Sequence, residues 1–151
     1  MITPVVSKGA DKWDLRFIEL AKHIASWSKD PSSQVAAVIV DSKRHIVGTG
    51  YNGFPVGVSD NPKRYDNREL KYMLIVHAEA NAIIQATKDT DGCTIYAGFP
   101  TCERCAGLII QAGIIRVVTP APPPEIAQRW AHSFITASGM YQEAGVEVVE
   151  L

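Results

Sequence analysis

The sequence is short of the features that would place it in several common classes. Of its 151 residues three are cysteines, an odd count too small to staple a disulfide-dependent fold. No apolar run reaches the roughly 18 residues that a membrane span needs, so no membrane partner is expected. Neither sign of charge dominates, with 15 Lys and Arg against 16 Asp and Glu. Without a positive excess there is no bulk field to neutralise phosphates, and a nucleic-acid partner is not expected. The first ten residues lack periodicity and the apolar core of a secretory signal, which reads as a cytoplasmic protein with a loose arm over 1–10. There is no internal repeat. The one low-complexity patch, Pro120-Ala-Pro-Pro-Pro124, reads as a stiff surface connection because its prolines fix φ. What is present is apolar content, 46% of the chain beside 21% charged. That suffices for one core and one domain over 11–151.

Trp13, Phe17, Leu20, Ile24 and Trp27 recur at three- and four-residue steps, which predicts a helix capped by Asp11 and ending before Pro31. Gln34 to Val40, rich in β-branched residues and alanine, is a buried strand. After the turn Asp41-Ser-Lys-Arg44, His45 to Tyr51 forms the second strand of a hairpin. Asn52 to about Lys71 reads as a long connection, and within it Lys63 to Arg68 as a solvated loop. Ala78 to Lys88 is helical and Thr94 to Ala97 a short strand. Cys102 to Ala112 is a helix stopped by Gly113, and Ile114 to Thr119 a strand. Ile126 to Ala144 is a last helix and Val146 to Val149 a last strand. This order calls for one sheet covered by helices on both faces, a three-layer α/β/α domain.

The chemistry concentrates in His77-Ala78-Glu79 and Cys102-Glu-Arg-Cys105. A Cys-x-x-Cys pair alone is compatible with redox chemistry or a structural metal. Joined to a histidine, one imidazole and two thiolates suit zinc, and three protein ligands leave a fourth position open. All three fall at predicted helix starts, where the positive end of the helix dipole lowers thiol pKa values. Glu79, two residues from His77, can approach the ion from a first turn and act as a proton carrier rather than a ligand.

This set resembles the zinc nucleobase-deaminase signature, H-x-E with P-C-x-x-C. Four further blocks narrow it: Ser28-Lys-Asp-Pro-Ser-Ser-Gln-Val35, Gly48-Thr-Gly-Tyr-Asn-Gly53, His77-Ala-Glu-Ala-Asn-Ala-Ile83 and Gly107-Leu-Ile-Ile-Gln-Ala-Gly113. In that order they resemble the deoxycytidylate (dCMP) deaminase family, from about Asp11 to Thr119. The resemblance implies a cytidine deaminase-like α/β/α fold with one five-stranded mixed sheet, and hydrolysis of dCMP to dUMP and ammonia. It implies zinc on His77, Cys102 and Cys105. It also implies Glu79 as general acid/base, protonating N3 and then the departing amine. The Ala78 N–H would donate to the pyrimidine O2, the carbonyl of Thr101 would accept from the amino group, and Asn52 would contact the sugar. Ser28 and Lys29 are candidates for the 5′-phosphate from charge and position. A homo-oligomer, dimer or hexamer, is implied as well. Two positions depart from the family pattern. Thr101 stands where proline usually precedes the first cysteine, and Val56 follows Phe54-Pro55 where relatives often carry a polar or basic residue. The second lies in a segment resembling the one used for nucleotide regulation.

Two other readings remain open. Another deaminase of the same fold would act on tRNA adenosine, guanine or a free nucleoside, a choice set by pocket shape rather than by zinc. A non-enzymatic structural zinc module would need a fourth protein ligand, which Cys93 or His23 would have to supply.

Overall fold

A computed structural model describes residues 10–151, so the arm expected over 1–10 lies, apart from Ala10, outside the described residues. The chain runs α1 (Lys12–Ala25), β1 (Ala36–Val40), β2 (Ile46–Tyr51), α2 (Pro62–Asp66), α3 (Arg68–Leu74) and α4 (Ala78–Ile84). It continues through β3 (Thr94–Ala97), α5 (Glu103–Gln111), β4 (Arg116–Thr119), α6 (Pro124–Arg129), α7 (Ala131–Ala144) and β5 (Glu147–Glu150). The five strands form one sheet in the order β2-β1-β3-β4-β5. β1 pairs antiparallel with β2 and β3, whereas β3–β4 and β4–β5 are parallel. Each parallel pair needs a crossover, which α5 and then α6–α7 supply.

Period-two alternation divides the sheet residues between two cores. Ala36, Val38, Val40, Tyr96, Val118 and Val149 face α1 and meet Phe17, Ile18, Ala21 and Ile24. Ala37, Ile39, Ile95 and Val117 face the other way, onto Ala78 and Ala82 of α4, Ala106 and Ile109 of α5, and Ala137 and Tyr141 of α7. Every residue of β1 is buried, as expected of a central strand covered on both faces. This is the expected three-layer α/β/α domain with a five-stranded mixed sheet.

Four elements differ from the sequence reading, the simplest being α4, which ends at Ile84 rather than Lys88. α1 stops at Ala25, before Pro31 as expected but short of Trp27, which the spacing places on its face. Ser26 Oγ donates to the His23 carbonyl at 2.6 Å, and the N–H groups of Trp27 and Ser28 reach back three residues, to Ile24 and Ala25. A side chain competing for a helical carbonyl unwinds the last turn. The connection from Asn52 is not all loop. Asn61 caps α2 and Asn67 caps α3 by accepting from Lys63 and Leu70 N–H groups, so Lys63 to Arg68 is largely helical with Tyr65 buried. The single helix expected over 126–144 is two. It starts at Pro124, a residue suited to a first helical position, and breaks at Trp130 (φ −107°, ψ 14°). There the indole packs edge-on against Tyr72 of α3, centroids 6.2 Å apart, and this tertiary contact accompanies the loss of helical dihedrals.

Candidate metal centre

Two helix starts converge beyond the carboxyl end of β3. His77 is the N-cap of α4 but makes no capping bond with its side chain, so the imidazole is free to point elsewhere. The segment leading to it is held by a two-way bridge, Gly53 N–H to Val76 carbonyl at 3.1 Å and Val76 N–H to Gly53 carbonyl at 2.8 Å. α4 lies almost on the backbone of β2. A Cβ built at Gly50 would stand 2.6 Å from the Ala78 carbonyl oxygen, and one at Gly48 would stand 2.5 Å from that of Ala82. Glycine is what permits this approach. Asn81 adds a side-chain bond to the Tyr51 carbonyl at 2.8 Å. Cys102 is the N-cap of α5, and its sulfur accepts from the Cys105 N–H.

His77 Nδ1 lies 3.5 Å from Cys102 Sγ and 3.4 Å from Cys105 Sγ, and all three ligand atoms fall within 4.8 Å of one another. Zinc bonds of about 2.05 Å to nitrogen and 2.3 Å to sulfur at tetrahedral angles put N and S about 3.5 Å apart. The spacing therefore fits a zinc ion, as does the donor set. Among the described residues the cluster has no fourth ligating residue. Cys93 precedes β3 while the cluster follows it, and the four-residue strand alone spans about 13 Å. Cys93 thus cannot close the site, and the structural zinc module loses that ligand. His23 packs instead against Trp27, with ring centroids 5.9 Å apart.

Mutual hydrogen bonding polarises the thiols. The Cys105 thiol, then the His77 imidazole, draw Cys102 down to about 4. Cys105 is pushed up, first by its bond to Cys102 and then by burial. The His77 imidazole is raised above its ordinary value, chiefly by its bond with Cys102. A divalent cation takes the place of such protons when it binds. Glu79 is only 4% exposed, and burial pushes its carboxyl above the ordinary range despite the nearby His77. Its neighbours include both cysteines.

The remaining sequence candidates are placed less uniformly. Ala78 and Thr101 are buried at the two helix starts, beside the ligands. Asn52 is buried and its side chain already accepts from Val35 N–H at 3.0 Å and donates to the Ser33 carbonyl at 2.7 Å. One amide N–H and one lone pair are left for a ligand. Its φ is not positive, so it is no left-handed turn former. Ser28 is buried and donates to the Asn52 carbonyl at 2.8 Å. Lys29 pairs with Asp60 at 2.8 Å, beside a hollow of about 400 Å³ whose lining includes that carboxylate and Asp66. Two residues near these loops escaped the sequence reading. Lys71 is buried against Asp30 at 3.1 Å and Ser32 at 3.0 Å, locking the loop that carries Ser28 to Gln34. Tyr141 bonds Thr101. A lysine or tyrosine on a helix carries no sequence signal of burial.

Comparison with known proteins agrees with this geometry. The profile of the cytidine and deoxycytidylate deaminase zinc-binding region matches residues 11–121. An uncharacterised deaminase from the region 3′ of luxG in Aliivibrio fischeri is 45% identical over 140 residues, covering 93% of this chain and 94% of that protein. Human deoxycytidylate deaminase is 44% identical over 113 residues, 71% of this chain and 64% of the human one. The chain thus spans slightly under two thirds of the human enzyme's length. The crystal structure of dCMP deaminase from the cyanophage S-TIM5 with dCMP and dUMP aligns with a TM-score of 0.71 at 22% identity, over 95% of this chain and 99% of that one. That likeness is one of fold.

Proposed function

The chain belongs to the cytidine and deoxycytidylate deaminase zinc-binding family, and from that premise we propose that it hydrolyses dCMP to dUMP and ammonia. The observation that carries the reading is the three-ligand cluster His77, Cys102 and Cys105 with the buried Glu79 carboxyl beside it. The choice of dCMP is supported by 44% identity to a protein named deoxycytidylate deaminase. The chain carries no positive excess, with 15 Lys and Arg against 16 Asp and Glu, which disfavours the tRNA alternative.

A zinc ion on this set would supply Lewis acidity, lowering the pKa of the water it coordinates to about 7. The chain's own residues do the rest. Glu79 would carry the two protons of the attacking water in turn, the first to pyrimidine N3 and the second to the 4-amino nitrogen as the C4–N bond breaks. Water thus provides the oxygen gained at C4, the proton that ends on N3 and the one proton that the amine needs to leave as ammonia. The Ala78 N–H donates to O2, and the Thr101 carbonyl accepts from the amino group. Asn52 contacts the sugar through its spare amide capacity. Ser28 and Lys29 meet the 5′-phosphate, for which Lys29 must leave Asp60. The unit of function is a single domain over 11–151, assembled as a homo-oligomer. Exposed Met73 (71%) and Ile84 (75%) support burial against other subunits. Thiol ligands are kept reduced in a cytoplasmic setting.

The test is ammonia release by zinc-loaded protein from dCMP, CMP, deoxycytidine, cytosine, guanine and adenosine. The proposal expects dCMP to be preferred over deoxycytidine. Equal turnover of the two would remove the 5′-phosphate from recognition, and preference for guanine or adenosine would overturn the substrate.

A further inference from the structure

Thr101, directly before the ligand Cys102, carries a hydroxyl that the hydrolysis does not use, and the structure gives that hydroxyl a partner. Thr101 Oγ1 and Tyr141 Oη share a 2.7 Å hydrogen bond, and both side chains are buried, at 5% and 3% exposure. Tyr141 lies on α7. Two turns earlier, on the same face, Phe134 packs edge-on against Phe99 with ring centroids 6.1 Å apart. Next to it, Ser133 Oγ donates to the Glu103 carboxylate at the start of α5. Three contacts from one helix bracket residues 99–103, a stretch with no regular structure until α5 begins. A threonine leaves φ free at this position where a proline would fix it, so on its N-terminal side Cys102 is held by these contacts, while on the other side its carbonyl accepts from the Ala106 N–H at 2.9 Å. Burial, first of all, pushes the Tyr141 phenol above its ordinary value. The phenol therefore stays protonated and keeps the bond.

We infer that the Thr101–Tyr141 hydroxyl pair is the brace that holds Cys102 in ligating position, which makes Tyr141 a positioning residue of the metal centre. The inference rests on the zinc reading of His77, Cys102 and Cys105. Its test is Zn²⁺ affinity, measured by competition with a chromophoric chelator. Tyr141→Phe and Thr101→Val should each weaken binding about tenfold, as loss of partners behind a metal ligand commonly does. The double variant should be no worse than either single one, because both remove the same bond. Thr101→Ser keeps the hydroxyl and should bind like the parent. Thr101→Pro added to Tyr141→Phe should recover affinity to within about threefold, because the ring fixes φ; a hydroxyl that only fills the core would not be replaced in this way. Single variants with parental affinity, losses that multiply in the double variant, or no recovery with proline would overturn the brace. Parent protein that takes up no Zn²⁺ overturns the zinc reading and the brace together. Zinc uptake without ammonia from dCMP counts against the substrate alone.

Discussion

Glu79 follows His77 by two residues, a spacing that on a continuous helix turns the two side chains apart. The conflict disappears because His77 is an N-cap in extended conformation (φ −70°, ψ 155°), so helical angles begin only at Ala78. The carboxyl then lies buried near Cys105, as a proton carrier requires. Glu79→Gln preserves shape and removes the ionisable group. It should keep one zinc per chain by metal analysis and lower kcat by about 10²–10⁴-fold in an ammonia assay. Near-parental turnover would mean that another group carries the proton. Lys29 separates two views of phosphate recognition. If it leaves Asp60 for the phosphate, Lys29→Ala should raise KM for dCMP with little change in kcat, because such a contact binds ground and transition states alike. An unchanged KM would leave Lys29 as a surface partner of Asp60. The cluster of His77, Cys102 and Cys105, with Glu79 beside it, was legible because zinc chemistry calls for particular residue types at short spacings. Asn52 was legible only in part. Its place after β2 could be read, but its side chain's commitment to Ser33 and Val35 joins residues 17 to 19 positions apart, which no local pattern announces.

α4 reaches the metal centre only because β2 offers it bare backbone. Gly50→Ala would drive a methyl into Ala78 and Ala82, displacing the helix that carries His77 and Glu79. Overpacking of this kind costs about 1–3 kcal/mol, and zinc affinity should fall with it. A useful contrast is Gly139 in α7, where an added Cβ meets nothing within 4 Å. Gly139→Ala should stabilise the chain by about 0.5–1 kcal/mol through helix propensity. Thermal melts and zinc titrations of the two variants check both expectations, and a Gly50→Ala protein with parental metal affinity would show that α4 is not held by that contact. The continuous apolar run of β1 and the apolar face of α1 made those elements readable in advance. The break at Trp130 was not readable, because Trp130 stops being helical where it docks on Tyr72, 58 positions earlier in the chain. α2 and α3, of five and seven residues, are too short for periodicity to register, although their asparagine caps stand in the sequence.

Across the whole molecule, α1 is tied to β4 by a partly buried ion pair on the face of the sheet that it covers. Arg116 on β4 donates to both Asp14 oxygens, at 2.7 and 2.8 Å, and Tyr96 donates to one of them at 3.0 Å. The Arg116 guanidinium, first of all, holds the Asp14 carboxyl below its ordinary value of 3.8. A depressed carboxyl contributes stability that is present above the unfolded value and is lost as pH falls through the folded one. The stability that this pair contributes should therefore decline as pH falls below 3.8. Arg116→Met strands a buried carboxylate, should cost about 3 kcal/mol at neutral pH, and should move the acid transition to higher pH. Denaturant titrations across pH 2–7 measure both effects, and an unshifted transition would place the acid sensitivity elsewhere. The architecture as a whole was legible from the order of elements. The long-range ties that aim the two helix starts at one point were not.

The proposed hydrolysis depends most on an ion held by one nitrogen and two sulfurs with one position left to a non-protein ligand. X-ray absorption at the zinc edge of the purified protein measures that shell directly. The expected result is two sulfurs at about 2.3 Å, one imidazole nitrogen at about 2.0–2.1 Å and one further light atom that is not an imidazole. A third sulfur or a second imidazole would close the site to water and contradict the account.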